Sequence, residues 1–160
     1  MALAASAGIS LTAHDVLAQQ SGTFKAIANY VRHFSTLEHA GETVFSGMLD
    51  GSVTILESSG GPFVAGRHSM SKCLAYGKRS AAGMDLETPC TIADPSGDRL
   101  YLLASRSAGD VKAGGGGEGH FELMGGTGVY AGLAGRCAYK TDYLANDRVI
   151  TTTDCTWRKR

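Results

Sequence analysis

Arg67 and His68 are adjacent in the chain. In a regular strand neighbouring side chains face opposite ways, so one of the two must point inward. An ionisable group is costly to bury without a partner. An inward Arg or His therefore marks a place where a substrate oxygen can be polarised or a proton moved. Tyr30, Tyr76, Tyr101 and Tyr139 are candidate phenols for a cavity wall, and Trp157 can stack on an aromatic ligand. Glu118, His120 and Glu122 alternate on one face and can form a carboxylate–imidazole set. The same alternation puts Phe121 and Leu123 on the other face, which makes the acidic face the solvated one. His33 lies near Glu38 and His39, but their spacing defines no ligand geometry, so no metal is expected.

Other chemistries lack their signatures. The run Gly125–Gly135 is glycine-rich without the Gly-Lys-Ser/Thr ending or strand–helix context of a phosphate loop. There is no Gly-x-Ser-x-Gly to present a nucleophilic serine. Lys+Arg is 15 and Asp+Glu is 15, so no net field draws nucleic acid, and no apolar run is long enough to span a membrane.

Cys73, Cys90, Cys137 and Cys155 form no CxxC pair. The gaps from Cys73 to Cys90 and from Cys137 to Cys155 are almost equal. Two local bridges fit if each pair spans adjacent antiparallel strands, and they imply a periplasmic or secreted protein. Four buried thiols in a cytoplasmic protein are the alternative.

The elements that position these residues are short strands. Hydrophobics at 43% and 22 glycines in 160 residues suit one globular domain rich in tight turns. Met1–Gly22 holds no Lys or Arg and reads as a secretory-signal remnant or an N-terminal helix or arm. Residues 23–160 read as a single β domain. Strands are expected over Phe24–Phe34, Glu42–Leu49, Ser52–Leu56, Arg67–Tyr76, Asp85–Ala93, Arg99–Ser105, Glu118–Met124, Gly135–Tyr143 and Arg148–Trp157. Ser35–Gly41, Gly77–Gly83 and Ser107–Gly117 read as loops, and Asp50-Gly51 as a hairpin turn or a bulge within one long strand. About eight strands at this spacing argue an all-β sandwich or barrel. Alternation places Cys137, Tyr139, Val149, Cys155 and Trp157 on one inner face, because the opposite face is charged. For Arg67–Ala75 the face is ambiguous. If Cys73 points inward, Ser69 and Ser71 line the interior with it; if not, His68, Met70 and Leu74 do. Small or polar inward residues favour a cavity over a packed core.

The run GGTGVYAGLAGRCAY, with the upstream hairpin CTIADPSGDRLYL, resembles the C-terminal half of the allene oxide cyclase-like barrel proteins, relatives of the dirigent proteins. Val129 departs from the basic residue common at that position. The resemblance implies an eight-stranded antiparallel barrel with an apolar cavity, assembled as a homodimer or homotrimer. It implies a hydrophobic small-molecule partner and either a cofactor-independent isomerase, cyclase or lyase, or a non-catalytic carrier. It transfers no catalytic residue. From the residues themselves, Arg67, His68 and Tyr139 are the candidate catalytic groups. Tyr30, His33, Ser69, Ser71, Tyr101, Phe121 and Trp157 are the candidate ligand contacts.

Overall fold

The computed structural model describes residues 19–160. The expected helix, arm or signal remnant falls mostly on residues 1–18, outside the described residues. Its last two positions, Ser21 and Gly22, already belong to a strand.

Eight strands follow one another as an up-and-down meander: β1 (Ser21–His39), β2 (Glu42–Ser58), β3 (His68–Ser80), β4 (Gly83–Ala93), β5 (Arg99–Arg106), β6 (Gly116–Gly126), β7 (Leu133–Tyr143) and β8 (Arg148–Lys159). Each pairs antiparallel with the next, and β1 also pairs with β8, so the sheet closes into a barrel. Closure removes the unpaired edges an open sheet would leave. Asp50-Gly51 is neither a turn nor a bulge. It lies within β2, paired with Val31 and Tyr30.

Two segments expected as loops are strand. Residues 35–39 extend β1 to a turn at Ala40 (φ 50°) and Gly41 (φ 82°), left-handed values that suit a two-residue hairpin. Pairing with β8 ends at Val31, so this tip is held by β2 alone and is exposed on both faces, Leu37 included. That is why no alternation marks it. Likewise β3 continues to Ser80, paired with β2 and β4.

The disulfides are those expected. Cys73 pairs across the ladder with Cys90, and Cys137 with Cys155, at Cα separations of 4.1 and 4.0 Å. All four sulfurs lie inside the barrel, which resolves the face of β3: Ser69, Ser71 and Cys73 point inward. Covalent links of this kind favour an oxidising compartment.

Candidate functional site

The barrel has two ends. One, the mouth, is formed by the loops after β2, β4 and β6. The other, the floor, carries the turns after β1, β3, β5 and β7. The interior is largely filled, contrary to the expectation of one sizeable cavity. Two small cavities remain, about 50 Å³ toward the mouth and about 40 Å³ toward the floor. Tyr30, Phe121 and Thr151 line both and form a waist between them.

The mouth is closed by the β2–β3 loop, which inserts Phe63. Its ring stacks on Phe24 with centroids 3.8 Å apart and packs near Tyr130 and Trp157 at 5.9 and 6.0 Å. The loop is tied down by Ser58 Oγ, which donates to the Phe63 carbonyl at 2.7 Å. Beside this plug lies a polar group. Arg67 Nη1 is 3.7 Å from Asp94 Oδ2, and the Tyr130 hydroxyl donates to the same oxygen at 3.4 Å.

Asp94 is positioned by its own turn. Its Oδ1 accepts from Ser96 N at 2.8 Å, Ser96 Oγ at 2.6 Å and Asp98 N at 3.2 Å. Burial works against ionisation here, but the bonds from Ser96, Asp98 and Tyr130 outweigh it and hold the carboxyl below its ordinary range. Burial and then the Asp94 charge push the Tyr130 phenol up. The two segments that carried the family resemblance meet at this point. Asp98 Oδ2 accepts from Val129 N at 3.0 Å, and Thr127 Oγ1 accepts from Arg99 N at 2.8 Å. Gly128, at φ +50°, is where a Cβ would sit 2.0 Å from Asp98 Oδ1. The glycine run thus locks the β6–β7 turn (with its 3-10 turn Gly128–Tyr130) onto the β4–β5 turn and delivers Tyr130 to Asp94.

The candidate residues divide among four places. Arg67 and Ser69 line the mouth cavity. Tyr30, Ser71 and Phe121 belong to the interior around the waist, where the Tyr30 hydroxyl and Ser71 Oγ lie 3.1 Å apart. Burial raises the pKa of Tyr30, with Ser71 opposing. Tyr139 faces the floor cavity, stacked on Phe121 at 4.5 Å, its hydroxyl donating to the Ser105 carbonyl at 3.3 Å. Burial pushes its phenol up to about 12. Arg67 and Tyr139 are therefore not brought together. Trp157 is buried beside the plug and does not line the mouth cavity.

His33, His68 and Tyr101, expected at the interior, lie instead on the outer face and are exposed. His68 Nδ1 is 2.9 Å from Thr54 Oγ1 on the surface. Strand alternation forces this outcome, because Ser69 and Leu100 take the inward positions next to His68 and Tyr101. His120 also faces outward and reaches Ser105 Oγ at 3.0 Å. Among the described residues no three His, Cys, Asp or Glu side chains converge to hold a metal.

Phe63, Asp94 and Tyr130 at the mouth, and Thr88, Arg106 and Tyr143 at the floor, were not among the candidates read from the sequence. Arg106 had a signal. Leu100, Leu102 and Ala104 alternate inward along β5, and Arg106 continues their register. Tyr143 had one too, through its register with Tyr139. Burial raises its pKa, and the Arg106 guanidinium pulls the other way. Phe63 had none, because loop residues carry no periodicity.

No protein-family model and no curated protein matches the sequence. Among solved structures, the chain is similar to the pterocarpan synthase dirigent protein, at a TM-score of 0.52 and 15% identity, over 98% of this chain and 100% of that one. At that identity the likeness supports a dirigent-like barrel fold.

Proposed function

We propose that the mouth half of this barrel binds a hydrophobic, aromatic small molecule when Phe63 swings out. The single observation that carries the reading is the Phe63 plug with Arg67, Asp94 and Tyr130 at its edge. Ligand pockets usually measure roughly 300–1,000 Å³. The 50 Å³ cavity is too small, so the aromatic ring already seated on Phe24 must yield its place to a ligand ring. The surrounding walls, Phe24, Ala26, Val53 and Leu100 among them, are apolar and suit a neutral ligand.

Our reading is of a cofactor-independent isomerase, cyclase or lyase, as in the allene oxide cyclase-like resemblance. The apolar walls hold the substrate near its reactive conformer. Arg67 polarises an oxygen that gains negative charge. Asp94, ionised at neutral pH, orients Arg67 and the Tyr130 hydroxyl at the cavity edge, and that hydroxyl can donate a hydrogen bond to the substrate. The neighbouring fold of a pterocarpan synthase dirigent protein supports a phenolic ligand class. A carrier without chemistry is the second reading, favoured because none of the strand residues described as lining the mouth cavity is Asp, Glu, Lys, Arg or His.

A screen of neutral phenols and terpenoids, followed by chiral product analysis, separates the two. Turnover that is lost in Arg67→Gln and Asp94→Asn supports the enzyme. A ligand that binds and is recovered unchanged supports the carrier. Failure of every aromatic ligand to bind contradicts both.

A further inference from the structure

The floor cavity has chemistry of its own. Arg106 is 5% exposed, yet among the described residues its Nε and Nη1 meet no hydrogen-bond partner, and no carboxylate pairs with it. Its Nη2 reaches the Met84 sulfur at 3.9 Å, and its guanidinium also interacts with the Tyr143 hydroxyl, opposing the rise of that phenol's pKa. On the adjacent strand Thr88 Oγ1 is likewise buried without a partner. Both residues line the same 40 Å³ space. One water needs about 10–15 Å³, so a compact ion fits.

The charge around this space is unbalanced. The Arg106 and Arg32 guanidinium groups both lie against the Tyr143 ring, at 5.7 and 5.4 Å from its centroid. Arg32 has a partner, Asp147, at 3.1 Å. The nearby Asp110 is engaged by Arg79 at 3.1 Å and by Lys112 N at 3.0 Å. Backbone space is set aside as well: a Cβ at Gly117 would lie 2.9 Å from Arg106 Nη1. A buried guanidinium without a counter-charge is expensive, and its fork of donors suits a planar anion.

We propose that this cavity binds a compact monoanion, a halide or a carboxylate group, held by Arg106 Nε and Nη1 with the Thr88 hydroxyl. The site lies across the waist from the mouth, so it stands or falls independently of the function proposed there. The test uses protein purified without chloride. Crystals of the wild type soaked in sodium bromide are read by anomalous scattering. In parallel, bromide and formate are titrated calorimetrically at constant ionic strength. The expected result is a bromide peak within hydrogen-bond distance of Arg106 and saturable binding, weakened at least tenfold in Arg106→Met and several-fold in Thr88→Val. Formate that displaces bromide identifies a carboxylate site; bromide alone identifies a halide site. Water density in the soaked wild type with no saturable binding of either anion overturns the proposal. So does binding unchanged in Thr88→Val and Arg106→Met. If Arg106→Met does not fold, the wild-type soak and Thr88→Val still decide.

Discussion

Phe63, from a loop, lies almost parallel to Phe24, from β1, with interplanar angle 19° and centroids 3.8 Å apart. A loop residue thus completes the barrel core at the mouth. Its removal separates two effects. Phe63→Ala should lower stability, with about 3–5 kcal/mol the usual cost of a buried Phe→Ala change. It should also enlarge the mouth cavity and raise affinity for aromatic ligands. Chemical denaturation and a crystal structure of the variant check both.

The two disulfides staple β3 to β4 and β7 to β8. Each closes a loop whose entropy in the unfolded chain is worth about 3 kcal/mol. Replacing Cys137 and Cys155 by serine should lower the unfolding free energy by about that amount, read in urea. Native protein alkylated without reductant should show no modified cysteine.

Asp94 should govern the acid limb of stability. Its carboxyl ionises below the ordinary value of 3.8 in the folded chain. A depressed pKa gives stability that is present above the unfolded value and is lost as pH falls through the folded one. Unfolding curves from pH 7 to pH 2 should show that loss in the wild type. Asp94→Asn should be less stable at pH 7 and should lack that part of the acid dependence.

The phenols act at the other extreme. Tyr139 is raised to about 12, and Tyr30, Tyr130 and Tyr143 are also raised, in each case chiefly by burial. The unfolded chain releases these protons near pH 10 while the folded one keeps them. Stability contributed by the raised groups is therefore present below pH 10 and falls as pH rises toward their folded values. Phenolate absorbance at pH 11 should increase sharply when denaturant is added.

The barrel was legible where alternation was clean. The charged face of β7 and β8 (Arg136, Lys140, Asp154, Arg158) identified Cys137, Cys155, Tyr139 and Trp157 as interior. β3 resisted because both of its faces are mixed. Met70, Leu74 and Tyr76 are exposed beside Lys72 and Lys78, while Ser69 and Ser71 point inward with Cys73 and Ala75. Neither face carries a clear sign to read. Arg106 continues the inward register of Leu100, Leu102 and Ala104 just past the expected end of its strand, and Gly117 on the neighbouring β6 leaves room for it. Asp94 looked like turn chemistry, which it is. Its second role depends on Arg67 and Tyr130, far apart in sequence and joined only by barrel closure.

On the function proposed, the ring of Phe63 occupies the ligand's place. Isothermal titration of a neutral phenylpropanoid phenol into wild type and Phe63→Ala tests it directly. Binding should be at least tenfold tighter in the variant, and lost again when Phe24 is replaced by a bulkier Trp. Equal affinity in both proteins, or no binding to either, would contradict it.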